Sequence, residues 1–321
     1  MSKKILIIAG DPHSINSEII FKVWKKIPYK LKKNIIVIGN FNLLRTQFKK
    51  LKYNIQLQKI KDVNKKYNTN ELKIIDVNLN FKNPFKIQKD ELKKYIKQSL
   101  SVAHNILNHN KNIAGLINCP ISKNLLGNNG LGVTEYLAAK CRIKKNSEVM
   151  LIRNSKIAVT PVTTHIRLKD VVKKLKKEII ITKIKTINQQ FKKIFLKKPK
   201  IAILGLNPHN AELKKSSEEI KLIIPAINKI KRLKIDISGP FSPDTIFIKD
   251  FIKYDVIVGM YHDQVLTPFK TLYKFDAINL TLGLNYLRVS PDHGVARNLI
   301  GQNKADPISL IECIKFINKF G

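Results

Sequence analysis

The 321-residue sequence predicts an α/β protein with a largely parallel or mixed sheet. Two observations carry that expectation. Short apolar runs alternate with stretches whose apolar residues recur at helical spacing, and polar motifs follow the apolar runs directly. KILIIAG precedes EIIFKVWKK, NIIVIGN precedes FNLLRTQFKKL, GLINCP precedes KNLLGNNG, IAILGLNP precedes SSEEIKLIIPAINKI, and DVIVGMYH precedes a further helix-compatible stretch. Each pair is one strand, loop and helix unit. A long amphipathic helix is expected from Asp90 to about His109 and another from Pro307 onward. The Lys-rich residues 173–200 read as helices with a solvated face.

Composition bounds the partners. A chain that is 44% hydrophobic can bury a sizeable core. No apolar run approaches the roughly 20 residues of a membrane span, and MSKKILIIAGDP reads as a strand entering a turn rather than a signal peptide, so a cytoplasmic location is expected. Cys119, Cys141 and Cys313 form no CxxC pair, which leaves them as small buried hydrophobes rather than a disulfide framework or thiolate zinc site. The net charge of +37 would ordinarily point to nucleic acid or an anionic membrane. However, 53 of the 60 basic residues are Lys, spread over nearly every segment, and only seven are Arg, the usual bidentate fork for phosphate and guanine. A Lys, Ile and Asn bias of the whole chain accounts for this, and neither a specific nucleic acid nor a membrane is expected as partner.

The motifs GDPHS, NCPISK, VTTH, GLNPH and YHDQ each follow an apolar run, which in an α/β sheet is the carboxyl end where ligands collect. His165, His209 and His262 stand at three of these ends. Neutral imidazoles are good ligands for divalent ions, and three protein ligands with open positions describe a catalytic metal site. Singly, each reads more readily as a hydrogen-bonded structural histidine, and their separation along the chain does not show that they converge. His104 and His109 fall on the expected long helix as surface residues, while His13 and His293 lie in polar turns. No GxGxxG follows the first run, so a Rossmann fingerprint is absent.

The runs GLNPHNAE, GPFSPDTIF, YHDQVLTPFK and INLTLGLNYLRVSPDHGVARNLIGQNKADPISL closely resemble the 4-hydroxythreonine-4-phosphate dehydrogenase family. The similarity begins at GDPHSINSEI, passes through NCPISK, GVTEYLA and VTTHIRLKDV, and reaches the last helix. The resemblance implies a three-layer α/β/α fold like that of isocitrate and isopropylmalate dehydrogenases, with two domains and the active site in the cleft between them. Residues 1–125 with 263–321 would form one discontinuous domain and 126–262 the central one. It implies one divalent ion (zinc, magnesium or cobalt) on His165, His209 and His262, in a homodimer whose sites take ligands from both subunits, His262 being the one contributed across the interface. Thr134, Lys270, Asn279 and Arg288 match the family's substrate anchors, and a phosphate and a carboxylate suit Lys and Arg. NAD or NADP would lie against SPDHGVARN, at Asp292, His293 and Gly294. On its own, Asp292 could equally cap the helix-like GVARNLI.

The implied reaction is oxidation of 4-phosphohydroxy-L-threonine to 2-amino-3-oxo-4-phosphooxybutanoate, which decarboxylates to 3-amino-2-oxopropyl phosphate in pyridoxine 5'-phosphate biosynthesis. A metal-bound hydroxyl loses its proton to a base while hydride leaves for the nicotinamide. Asp244 in SPDTIF and Asp263 beside His262 are the candidate bases, and either could instead orient a metal ligand. Four departures stand out. Ser14 and Asn16 replace glycines of the family's GDPAGIGPE, Val133 replaces the His of GHTE, Val265 replaces a Gly after HDQ, and NAELKKSSEEI replaces a Gly-rich segment after GLNPH. Two other readings stay open: a sister dehydrogenase acting on another phosphorylated hydroxy acid such as erythronate 4-phosphate, and a decayed, basic, RNA-associated scaffold.

Overall fold

The computed structural model describes residues 3–126, 132–144, 146–274 and 276–321. The tail of KNLLGNNG lies outside the described residues, and its start forms only a short turn at Lys123–Leu125. Two compact units are present: Met1–Cys141 with Leu284–Gly321, and Arg142–Gly283. The chain therefore leaves the first unit and returns to it. These edges lie beyond the expected cuts at 125 and 262 because of packing. The helix Val133–Lys140 packs on the long helix Lys89–His109 and stays with the first unit, whereas the helix His262–Tyr273 packs on strands of the second.

The first unit holds β1 (Lys4–Ile8), β2 (Ile35–Gly39), β3 (Leu57–Ile60), β4 (Leu72–Asp76), β5 (Ile113–Asn118) and β12 (Arg288–Pro291) in the order β3-β4-β2-β1-β5-β12. All pairings are parallel. Every residue of β2 is buried, as a parallel strand covered on both faces requires. The helix Lys89–His109 packs against β1, β2 and β5, and the helix Ile308–Phe320 against β1, β5 and β12. Both start within one residue of the position the sequence periodicity predicts.

The second unit holds β6 (Val149–Arg153), β7 (Ala158–Thr163), β8 (Ile201–Leu204), β9 (Ile237–Phe241), β10 (Val256–Tyr261) and β11 (Ile278–Leu282) in the order β11-β6-β7-β10-β8-β9. The β11-β6 and β6-β7 pairs are antiparallel and the remainder parallel, so this sheet is mixed. Met150, Ile152, Val159, Leu204, Ile257 and Phe269 belong to its core. Val265, which replaces a family glycine, is fully buried there. A Cβ added at Gly259 would come within 2.6 Å of its Cγ1, so Gly259 supplies the room that Val265 fills.

Among the described residues, no helix is long and apolar enough to cross a membrane.

Candidate functional site

In the second unit, parallel pairing sets Tyr261 of β10 opposite Thr163 of β7, and the Thr163 hydroxyl donates to the Met260 carbonyl at 2.7 Å. Residues following the two strands therefore emerge side by side. His165 and His262 meet there with ring centroids 5.4 Å apart and planes tilted by 40°. Two imidazoles sharing one tetrahedral ion, about 2.1 Å from each nitrogen, would have centroids about 5 Å apart, so the pair fits a divalent ion. Asp263 Oδ1 lies 2.7 Å from His262 Nδ1, which leaves Nε2 as the nitrogen for a metal. This is the contact of an orienting carboxylate.

His209 goes elsewhere. Glu219, fully buried, accepts the backbone N–H groups of Leu206 and Asn207 at 2.8 and 2.9 Å and anchors the loop leaving β8. Burial alone would raise the Glu219 carboxyl pKa, but these hydrogen bonds outweigh it and hold it below the usual value. Gln264 completes the frame, donating to the Gly205 carbonyl at 2.8 Å and accepting from Met260 N–H at 2.6 Å. From His209 to Leu213, five consecutive non-glycine residues have φ between 49° and 55°. The exposed His209 ends with Nε2 3.6 Å from Asp244 Oδ2. The Ser242 hydroxyl donates to Asp244 at 2.6 Å and holds that carboxyl below its ordinary pKa. Among the described residues, no group of three or more His, Cys, Asp or Glu side chains is placed to hold a metal ion. Within one chain His165 thus stands beside His262, the residue expected from across an interface, while His209 stands beside Asp244.

Lys270 follows His262 by about two helical turns on the same helix and is half-buried. Asn279 sits on β11 opposite Ile152, and its buried Oδ1 has no hydrogen-bond partner, a state that a ligand donor would relieve.

In the first unit, the other two predicted anchors are bonded together. Arg288, at the start of β12 and 2% exposed, donates from Nη1 to the Thr134 hydroxyl at 3.1 Å and from Nε to Asn118 Oδ1 at 2.6 Å. Parallel pairing of β12 with β5 brings Arg288 and Asn118 together. Burial pushes the guanidinium down to about 10, which still leaves it charged at neutral pH. Val133 is the first residue of the helix carrying Thr134.

The GDPHS, NCPISK and GVARN motifs also meet in this unit. The buried Asp11 accepts from the Ser122 hydroxyl at 2.5 Å and from His13 N–H at 2.9 Å. Arg297 reaches the Ser122 hydroxyl at 3.0 Å and the His13 carbonyl at 3.2 Å. His13 Nε2 accepts from Ile87 N–H at 2.7 Å, and burial lowers the His13 pKa. Ser14 and Asn16 do not occupy glycine-like conformations. Instead, Ser14 donates to the Asp11 carbonyl and Asn16 to the Pro120 carbonyl at 2.9 Å. Gly10 does need its freedom: φ is +78° and a Cβ would meet the Pro120 carbonyl at 2.6 Å.

Within SPDHGVARN, Asp292 N–H donates to the Ser309 hydroxyl at 2.9 Å. The short turn Arg297–Leu299 starts after Ala296, so Asp292 does not cap it. His293 Nδ1 lies 3.0 Å from the Gly294 carbonyl and must donate to it, which makes the buried Nε2 an acceptor with no donor. Burial lowers the His293 pKa and keeps the ring neutral. Gly294, the next residue, is exposed, and a Cβ there would have nothing within 4 Å. The loop fits a ligand that brings a hydrogen-bond donor.

Sequence reasoning did not single out Asn118, Asp11, Ser122, Arg297, Gln264 or Glu219. Asn118, Asp11, Ser122 and Gln264 lie inside quoted strand-end motifs and Arg297 inside SPDHGVARN, and that position was their signal. Glu219 sits in the middle of a helical pattern and carries no comparable signal.

The profile of the family described as "Pyridoxal phosphate biosynthetic protein PdxA" matches residues 31–317. A 4-hydroxythreonine-4-phosphate dehydrogenase of Sulfurihydrogenibium sp. (strain YO3AOP1) is 38% identical, with 97% of this chain and 96% of that protein covered. One of Aquifex aeolicus (strain VF5) is 35% identical over 99% and 98%. The crystal structure of the Klebsiella pneumoniae 4-hydroxythreonine-4-phosphate dehydrogenase is similar at a TM-score of 0.86 and 27% identity, over 98% of each chain. The chain belongs to the PdxA family of pyridoxal phosphate biosynthetic proteins.

Proposed function

We propose that the protein oxidises 4-phosphohydroxy-L-threonine with a nicotinamide cofactor and one divalent ion, in the cytoplasm. Near full-length membership in the PdxA family carries this reading, and His165, His209, His262, Thr134, Lys270, Asn279 and Arg288 keep the residue types implied for its metal and substrate positions, although Val133 stands where the family has a His. Arg288, held by Asn118 and Thr134, presents a charged fork to the substrate's phosphate or carboxylate, with Lys270 and Asn279 as further anchors. His165 and His262 of one chain, with His209 of a second copy, would hold the ion. When bound, the ion would acidify the substrate hydroxyl and the nicotinamide would take the hydride. Asp263 keeps His262 oriented, and Asp244, ionised beside His209, is the better placed proton acceptor. His293 Nε2 and the space at Gly294 suit the cofactor.

The test is purified protein with 4-phosphohydroxy-L-threonine or erythronate 4-phosphate, NAD or NADP, and zinc, magnesium or cobalt, read as reduced nicotinamide. Turnover of the first substrate supports the reading. Preference for the second would reassign the substrate, and turnover of neither would sink it. The dimer is tested by mixing inactive chains. A His165→Ala and His209→Ala mixture should regain about a quarter of its sites, since one site in each half-occurring heterodimer is intact. A His165→Ala and His262→Ala mixture should regain none, and recovery there would refute the assignment of His209 to the second copy.

A further inference from the structure

In the second unit, side chains rather than the strand ladder tie the carboxyl ends of β7, β10 and β8 together. β10 pairs with β7 as far as Tyr261 and Thr163, but with β8 only as far as Val258 and Ile203. Carried two residues further, the second register would set Met260 opposite Gly205. The side-chain amide of Gln264 stands between those two instead. Its Oε1 accepts the Met260 N–H at 2.6 Å and its Nε2 donates to the Gly205 carbonyl at 2.8 Å, so one amide takes the place of a peptide group in the ladder. The two partners fix its orientation, because a flipped amide would set donor against donor and acceptor against acceptor. On the other side, the Met260 carbonyl accepts from the Thr163 hydroxyl at 2.7 Å. Thr163, Met260 and Gln264 are all buried. Gly259 leaves room for the side chain to fold back, since a Cβ there would meet Gln264 Oε1 at 2.8 Å.

We propose that Gln264 is a positioning residue of the metal site, acting through the strand ends without touching ion or substrate; this rests on the function proposed above. Thr163 stands two residues before His165, Met260 two before His262 and Gly205 four before His209. The chain Thr163–Met260–Gln264–Gly205 therefore governs where all three histidines leave the sheet. Beyond Gly205, Glu219 holds the N–H groups of Leu206 and Asn207, so the loop stays fixed until two residues before His209. The inserted amide keeps β8 from closing on β10, and there the His209 loop begins to diverge from His262. With the ion shared between copies, His262 and His209 of one chain serve different ions, and one Gln264 supports half of each site. An ion site tolerates displacements of only about 0.5 Å in its ligands, so a small change in this splay is felt at the metal.

Cobalt(II) is the probe, titrated into the full chain after a chelator has removed other ions. Its visible d–d absorption reports coordination geometry, and urea unfolding of the same proteins reads stability separately. Wild type should show a d–d band that His262→Ala abolishes. Gln264→Glu keeps an acceptor for the Met260 N–H but sets a carboxylate oxygen against the Gly205 carbonyl. Gln264→Met removes both bonds with little change of shape, and Thr163→Val cuts the bond at the other end of the chain. Each should raise the cobalt dissociation constant about ten- to a hundredfold and alter the band. Ile257→Val, in the buried core of the same unit, should lower stability and leave affinity and band unchanged, so that lost stability is separated from lost positioning. Wild-type affinity and band in any folded Gln264 or Thr163 variant, or equal weakening by Ile257→Val, would overturn the proposal and leave the metal assignment standing. A wild-type protein that binds no cobalt, or whose binding survives His262→Ala, would overturn the metal assignment and this proposal with it.

Discussion

The turn that carries His209 makes a prediction whose sign is opposite to the ordinary expectation. His209, Asn210, Ala211, Glu212 and Leu213 all have φ near +50°, in a segment that the family fills with glycines. A left-handed residue with a Cβ costs about 1–2 kcal/mol, less for Asn. Replacing Ala211 with Gly should recover that cost while losing about 0.4–1 kcal/mol through the greater freedom of the unfolded chain. The net expectation is stabilisation of about 0.5–1 kcal/mol, and roughly twice that for Ala211→Gly with Glu212→Gly. In a right-handed helix the same Ala→Gly change would cost about 0.5–1 kcal/mol. Urea unfolding of wild type and variants, with m unchanged, reads the difference directly. A destabilised Ala211→Gly protein would refute the left-handed turn, and with it the explanation of why His209 lies beside Asp244.

Arg288→Lys keeps the charge but removes the fork that binds Asn118 and Thr134, so KM should rise about ten- to a hundredfold with a smaller change in kcat; an unchanged KM would remove Arg288 from the substrate site. Asp263→Asn should weaken divalent-ion binding about ten- to a hundredfold in a chelator competition, because His262 loses its orienting carboxylate; unaltered affinity would make that contact incidental. Lys73, 2% exposed and donating to the Lys32 carbonyl at 2.7 Å, has its pKa lowered to about 8 by burial and then by Lys4, from a value of 10.5. Between those two pH values the unfolded chain holds the proton and the folded one does not, so stability rises with pH there, by up to roughly 3 kcal/mol. Lys73→Met should lack this component, and parallel stability–pH curves for the two proteins would refute it.

The sheet was legible because its signal is local. Apolar runs such as IIVIG and IAIL are short and rich in β-branched residues, which suits a strand buried on both faces. The long helix was legible for a related reason: twenty-one residues of 3.6-residue periodicity leave little freedom in where it starts. The reversal of β6, antiparallel to both β11 and β7, was not legible. VMLIR and INLTL are apolar runs like the others, and strand direction is decided by connections hundreds of atoms away rather than by composition. The unit edges failed likewise, because Val133–Lys140 and His262–Tyr273 belong where their buried faces pack and nothing in their sequences names the surface they pack against.

The site divides along the same line. That His165 and His262 both follow strands could be read from VTTH and YHDQ, but their meeting depends on β7 and β10 being neighbours in register, Thr163 against Tyr261. His209 follows a strand too, and β8 is also a neighbour of β10. What separates it is five residues of left-handed backbone, a property of a loop whose glycines have been replaced and whose conformation no propensity would favour. Arg288 was singled out because arginine is scarce here, and the structure supplies a reason for its not being a lysine. A fully buried cation needs several fixed acceptors, and the fork meets Asn118 and Thr134 at once from two different nitrogens. A bias that put 53 lysines on this chain left an arginine at the buried position where lysine could not make both contacts.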